Sequence, residues 1–461
     1  MIHLSDVTVS RMGKMLFDNF NLQITPGEHW VIQGNNGSGK TLLLQLIAGV
    51  VHPQYGHVAH SFIHGDDWDS LYQQRQEKIH FIPTQWLQAY LGGFNGLFYQ
   101  QRYYSMDDTA FPKVKDVFGK DVDKLDSFMF SENFKINQLL DLPLTRLSNG
   151  QLKKVVILRQ LVKNIPKFLL FDYPFDGLDA QSRVDLNDFI DDIATQFNIQ
   201  VVIVDHGQAL PSVINRRLVL KKFKTEIIED IKIKNVRPTQ GESVTQATRT
   251  KKAEPVVEMQ NLTIEYNGKS ILSNLNWRIN QGERWALTGR NGSGKTTLFS
   301  LIYADHPMAY SQKVFLFGKR RGSGESIWDI KKRINYFGPE QIHFLNSKSI
   351  SSTGREYIKM QPYKNHGQLN QLIQFFEAQD YIDQPVKMLS SGQLQMTLLI
   401  NMFLDERELL LLDEPFQFID TQNHERVTNY LNHYLDKNIT LVLITHDEKD
   451  VARWTQLRKR I

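Results

Sequence analysis

The sequence predicts an α/β protein made of two tandem domains, each built on a mostly parallel sheet with crossover helices. Three observations carry that prediction. Residues 8–43 match residues 263–298 without a gap, with 17 of 36 positions identical. Each half runs from alternating apolar strands through a glycine-rich turn into an apolar helix (TLLLQLIAGV; TTLFSLIYA). Each half then returns to buried strands, one ending in Asp and one in His, with helical patterns between them. Strands that alternate with helices in this way build parallel sheets.

The repeat sets the domain organisation. Lys40 pairs with Lys295 at an offset of 255, and Asp172 pairs with Asp413 at an offset of 241. The first half therefore carries 14 extra residues (255 − 241) between those points. A period this long describes a duplicated domain, not a short-repeat solenoid. The stretch KNVRPTQGESVTQATRTKKAEP is polar and lacks apolar periodicity, which predicts a linker over 228–254 between domains at 1–227 and 255–461.

Composition bounds the rest. A chain of 461 residues suits two or three domains of roughly 150 residues each. Hydrophobic residues at 41% and charged residues at 23% are ordinary for a globular protein and too apolar for a disordered one. A net charge of +4 gives no argument for nucleic acid as a direct partner. The absence of cysteine excludes disulfide scaffolds, Cys-ligated zinc and iron–sulfur clusters. No apolar run approaches the roughly 18 residues of a membrane span, and MIHLSDVTVSRMGK has no leader pattern. The expectation is a cytoplasmic chain with no span of its own.

Both glycine-rich turns satisfy G-x-x-x-x-G-K-[ST]. The first is Gly34, Asn35, Asn36, Gly37, Ser38, Gly39, Lys40 and Thr41; the second is Gly289, Arg290, Asn291, Gly292, Ser293, Gly294, Lys295 and Thr296. Glycines let backbone N–H groups curl around phosphate, and the following helix adds its positive end. Lys reaches the β- and γ-phosphates while Thr holds Mg²⁺. Asp172 in FLLFDYPF and Asp413 in LLLLDEPF supply the second magnesium handle, since a buried carboxylate needs a partner. Ser148, Gly150 and Gln151 (LSNGQ) and Ser390, Gly392 and Gln393 (LSSGQ) head long helices, with the serines as caps.

Taken in order, these elements resemble the ATP-binding-cassette (ABC) ATPases. Phosphate loop, LS-x-GQ signature, strand-end Asp, a further Asp (Asp179, Asp420) and a strand-end His (His206, His446) follow the family order in both halves. The resemblance implies two P-loop NTPase domains, each with a helical subdomain and an N-terminal antiparallel β part. It implies ATP and Mg²⁺ as cofactors, and a head-to-tail pairing in which two ATPs lie between the halves. Each ATP would rest on one half's phosphate loop and face the other half's signature Ser and Gly. Gln85 and Gln341 lie near the place of the family's magnesium-contacting Gln, with Thr84 or Glu340 as alternatives.

The two predicted sites differ. The family's catalytic Glu follows the strand-end Asp, and Glu414 stands there in the second half; the first half has Tyr173. A phenol with an unperturbed pKa near ~10 is a poor base at neutral pH. Tyr266 stands where the family stacks adenine, opposite Arg11 in the first half. With Glu414, His446 and His206 as the expected catalytic groups, the asymmetry predicts a hydrolysing second site and a holding first site.

Among tandem cassettes, the DxPF wording in both halves (DYPFDGLD, DEPFQFID), the length and the short linker resemble the ModF type, molybdenum-transport ATP-binding proteins. That resemblance implies a membrane permease partner, a molybdate-related cargo and a peripheral place on the inner face of the cell membrane. Residues 86–146, where the family receives a permease helix, carry Trp86, Tyr90, Phe94, Phe98, Tyr99, Tyr103 and Tyr104. The alternative is a soluble ABC-F-like, ribosome-associated translation ATPase. That family separates its cassettes with a long charged helical arm, whereas this linker is about 30 polar residues.

Overall fold

The computed structural model describes residues 1–11, 14–65, 67–83, 112–127, 136–205, 209–221, 224–229, 255–266, 269–290, 292–338, 341–342, 345, 351–360, 366–405 and 407–461. The chain divides into two compact units, one for each half.

The first unit opens with an antiparallel sheet of β1 (Ile2–Arg11), β2 (Lys14–Ile24) and β4 (Tyr55–His60), ordered β2-β1-β4. Its main sheet holds β3 (Trp30–Gly34), β5 (Ile79–Ile82), β6 (Phe168–Asp172), β7 (Gln200–Val204), β8 (Arg216–Lys221) and β9 (Lys224–Glu229), ordered β5-β6-β7-β3-β8-β9. The first five strands are parallel, and β9 closes the edge antiparallel to β8. Among the described residues the α-helices are α1 (Lys40–Ala48), α2 (Trp68–Lys78), α3 (Val114–Phe118), α4 (Asn149–Lys163) and α5 (Ala180–Gln196).

Alternation along the buried strands divides the core into two layers. Phe168 and Leu170 of β6 pack with Leu43, Leu44 and Ile47 of α1, whereas Leu169 and Phe171 join Val155, Leu158 and Ile190 of α4 and α5. Continuous apolar runs such as FLLFD are what a parallel strand covered on both faces requires.

The second unit repeats the plan. Strands β10 (Pro255–Tyr266), β11 (Lys269–Asn280), β13 (Lys313–Leu316) and β14 (Lys319–Arg320) form an antiparallel sheet ordered β11-β10-β13-β14. Strands β12 (Arg284–Thr288), β15 (Ile334–Phe337), β16 (Leu409–Asp413), β17 (Thr440–Ile444) and β18 (Leu457–Arg460) form an all-parallel sheet ordered β15-β16-β17-β12-β18. Among the described residues the α-helices are α6 (Lys295–Ile302), α7 (Ile327–Lys331), α8 (Gly354–Lys359), α9 (Leu369–Phe375), α10 (Ser391–Phe403), α11 (Thr421–His433) and α12 (Glu448–Trp454). Here too Leu409 and Leu411 face one layer while Leu410 and Leu412 face the other.

In both sheets the chain leaves the strand before the phosphate loop toward one side and returns on the other. Ligands of open α/β sheets bind at such reversals, beyond the carboxyl ends of the strands. Among the described residues no helix is long and apolar enough to cross a membrane.

One buried group ties fold stability to pH. His80 on β5 is 7% exposed and donates from Nε2 to Asn164 Oδ1 (3.2 Å) at the end of α4. Burial pushes its imidazole down to about 4, against the opposing Asn164 bond and with Lys163 adding to the shift. The folded value lies below the unfolded one, so the stability is present above the unfolded pKa and is lost as pH falls toward the folded one. We expect the first unit to lose about 3 kcal/mol of stability between about pH 6.5 and 4 through this group. Urea unfolding across that range should show an acid limb that His80→Gln flattens.

Candidate functional site

The phosphate loops are shaped by their glycines. Gly34 has φ 144°, and a Cβ there would stand 2.3 Å from the Leu220 carbonyl oxygen of β8. Gly39 caps α1 in the left-handed region with φ 94°, against the Phe17 ring. Only glycine meets both demands without strain. The loop then closes on itself: Lys40 Nζ donates to the Gly34 and Asn35 carbonyls at 2.8 Å each. Lys295 Nζ does the same to Gly289 (2.8 Å) and Arg290 (3.0 Å). The Ser38 and Ser293 hydroxyl oxygens, on the same loops, are buried without a hydrogen-bond partner. An ammonium held by loop carbonyls, an orphaned hydroxyl and a helix start fit a bound polyphosphate.

The hydroxyl that follows each lysine faces the strand-end carboxylate. Thr41 Oγ1 donates to Asp172 at 3.0 and 3.1 Å, and Thr296 Oγ1 to Asp413 at 3.3 Å. Asp172 and Asp413 are 4% and 5% exposed. Hard oxygen donors of this kind suit Mg²⁺. Thr41 with Asp172, and Thr296 with Asp413, are the residues that would hold it.

Immediately after each Asp the two halves share a backbone and differ in chemistry. Tyr173 and Glu414 have φ 52° and 50°. Their amides donate to the carbonyls of Val204 and Ile444, each at 3.0 Å. In the first half that strained turn presents a phenol, with Lys40 Nζ 5.8 Å from the ring centroid. In the second half it presents a carboxyl, with Glu414 Oε1 3.3 Å from His446 Nε2. The Glu414 side chain is 24% exposed overall, but Oε1 itself is buried without a hydrogen bond. Burial pushes this carboxyl up to about 8, the Asp413 carboxylate adds to the shift, and Lys295 opposes it. A base tuned near neutral pH is one suited to take a proton there.

The signature residues head α4 and α10 as capping boxes. Ser148 Oγ accepts from Gln151 N (3.1 Å), and Gln151 Oε1 accepts from Ser148 N (2.9 Å). Ser390 and Gln393 repeat this at 3.3 and 3.0 Å. Gly150 sits against Ser182 at the start of α5, where a Cβ would meet the serine Cβ at 3.2 Å. Gly392 is buried.

Gln85, His206 and Asn291 lie outside the described residues, as do the side chains of Tyr266 and Arg11. The Gln341 side-chain N–H donates to the Tyr336 carbonyl of β15 at 3.0 Å, a bond that does not use its Oε1 oxygen. A cavity of about 160 Å³ lined by Asp116, Phe118, Arg159 and Lys163 among others shares none of the residues above.

Two further residues escape a reading of sequence alone. Lys153 of α4 is 9% exposed and donates from Nζ to the carbonyls of Pro174 (2.5 Å) and Asp176 (2.7 Å). Gln395 of α10, at the matching place, donates to the Pro415 carbonyl and accepts from Phe418 N at 3.2 Å. Each locks a signature helix to the turn after the strand-end Asp of its own half. A lysine in KKVVILR reads as solvated surface, and only its match to Gln395 after the signature hints otherwise.

The ABC transporter family matches residues 17–176 and again residues 272–417, so both halves are covered. This chain belongs to the ABC transporter family. An uncharacterised ABC transporter ATP-binding protein of Schizosaccharomyces pombe is 30% identical over 97% of this chain and 94% of its own length. The ABC transporter ATP-binding protein ModF of Escherichia coli is 27% identical over 93% of this chain and 90% of its own. The structure of ribosome-bound archaeal Pelota and ABCE1 superposes with TM-score 0.60 at 19% identity, over 98% of this chain and 75% of that one. At that identity the likeness concerns the two-cassette fold. As an ABC protein with two cassettes, the chain binds ATP.

The lysine contacts predict two separable nucleotide sites. Lys40→Ala and Lys295→Ala should each lower the stoichiometry of bound ATP from about two per chain to about one, with the double variant near zero. Equilibrium dialysis with labelled ATP reads this directly.

Proposed function

We propose that the chain is a two-site ATPase in which the second site hydrolyses ATP, the first holds it, and the cycle drives a membrane permease. One observation carries the reading: the same strained turn offers Glu414, 3.3 Å from His446, in one half and Tyr173 in the other. In this reading residues 1–227 and 255–461 are the cassettes, joined by the linker at 228–254. The holding site would use Lys40, Thr41, Asp172 and His206 of the first half. The hydrolysing site would use Lys295, Thr296, Asp413, Glu414 and His446 of the second half. Mg²⁺ held by the Thr and Asp oxygens would offset phosphate charge. Glu414 would accept the proton of the attacking water, and His446 would face the γ-phosphate.

Membership of the ABC transporter family and the end-to-end match to ModF support the transport role. The chain would then sit in the cytoplasm, peripheral to the membrane, with its cargo chosen by the permease. A molybdate-related cargo rests on the ModF likeness alone.

Two measurements test the reading. Glu414→Gln should lower steady-state ATP turnover by about 10²-fold or more, because a positioned general base typically contributes 10²–10⁴. Retention of about half the activity would show that the first site also hydrolyses. Affinity capture of the tagged full chain from detergent-solubilised membranes should recover an integral-membrane protein. Co-sedimentation with ribosomes and no membrane partner would replace transport with a translation role.

A further inference from the structure

Behind the second site a single side chain joins three segments of the proposed machinery. His424 is the fourth residue of α11, whose cap is Asp420. Its Nε2 donates to Asp450 Oδ1 at 2.8 Å. Asp450 is 3% exposed and lies in the first turn of α12, four residues after His446. The His424 ring also contacts Phe416, at 4.8 Å between centroids, and Trp454, at 5.4 Å. Phe416 stands two residues after Glu414 and packs on Trp454 at 4.3 Å. The segment between His446 and Asp450 has little freedom of its own. Asp447 N donates to Thr445 Oγ1 (3.2 Å), and the Asp447 carboxylate accepts from Lys449 N (2.8 Å). These bonds tie the start of α12 to the residues on either side of His446.

The first half reaches the same three segments with different chemistry. Arg183 is the fourth residue of α5, after the Asp179 cap. Its guanidinium lies 4.8 Å from the ring centroid of Phe175, which holds the place of Phe416. It donates to Asp205 Oδ2 at 2.7 Å and to the Ala209 carbonyl at 3.2 Å. Asp205 is 2% exposed. A pair that only filled space would not need to recur at one helix position with its acid drawn from a different place in the chain.

We infer that His424 is a positioning residue for hydrolysis, whose ring contacts and bond to Asp450 together hold Glu414 and His446 at their mutual distance. The inference rests on the second site being the hydrolysing one. Its physical basis is that misplacing reacting groups by about 1 Å costs on the order of 10²-fold in rate.

The test is steady-state ATPase kinetics of the full chain, with thermal unfolding to confirm that each variant folds. H424F keeps an aromatic ring between Phe416 and Trp454 but has no donor for Asp450. It should lower kcat about tenfold while KM for ATP stays within about twofold. H424R supplies the donor that Arg183 uses in the first half and should return kcat to within about threefold of the parent. D450L breaks the same bond from the other partner and should match H424F; it carries the test if H424F does not fold. A folded H424F or D450L with kcat within about twofold of the parent overturns the inference. So does a loss in which kcat and KM move together and H424R restores neither. E414Q is measured alongside. If E414Q retains about half the turnover, the site assignment has failed; if E414Q is inactive and H424F is not impaired, only the positioning role has failed.

Discussion

A carboxylate buried at the end of a central parallel strand is the constraint around which each half is arranged. Asp172 and Asp413 are almost fully covered, and a threonine hydroxyl reaches each from the neighbouring phosphate loop. An uncompensated charge in such a place costs several kcal/mol in practice. The arrangement is stable only if a cation or donors complete it, so strand register, loop shape and helix start all follow from that need. Asp172 pairs in register with Val204, and Asp413 with Ile444, which puts each carboxylate level with the residue before its His-bearing loop.

From that shared frame the halves diverge through single side chains. The backbone after the strand-end Asp is the same to within a few degrees of φ, so the exchange of Glu for Tyr is chemical and not conformational. The supports diverge in step. Lys153 and Arg183 use an ammonium and a guanidinium in the first half, where Gln395 uses an amide and His424 an imidazole in the second. Burial pushes the Lys153 ammonium below the usual lysine value, against the opposing Asp176 carboxylate.

Much of this was legible in the sequence because its strongest constraints are local. Phosphate loops need glycine at fixed places, a capping Ser needs Gln three residues on, and a doubly covered strand needs an unbroken apolar run. Gly34, Ser148 and LLLLD are visible for those reasons. What was not legible depends on partners distant in the chain. Arg183 meets Asp205, but His424 meets Asp450, and no spacing rule connects residues 26 apart.

The capping boxes have one more consequence. In each, the serine oxygen receives an N–H from its own helix, a bond in which the hydroxyl's hydrogen takes no part. Structural duty and ligand recognition thus draw on opposite ends of one O–H group. Receiving the amide polarises that bond and makes its hydrogen a better donor to an arriving anion. A residue that looks fully employed in building its helix is by that employment prepared for a second task.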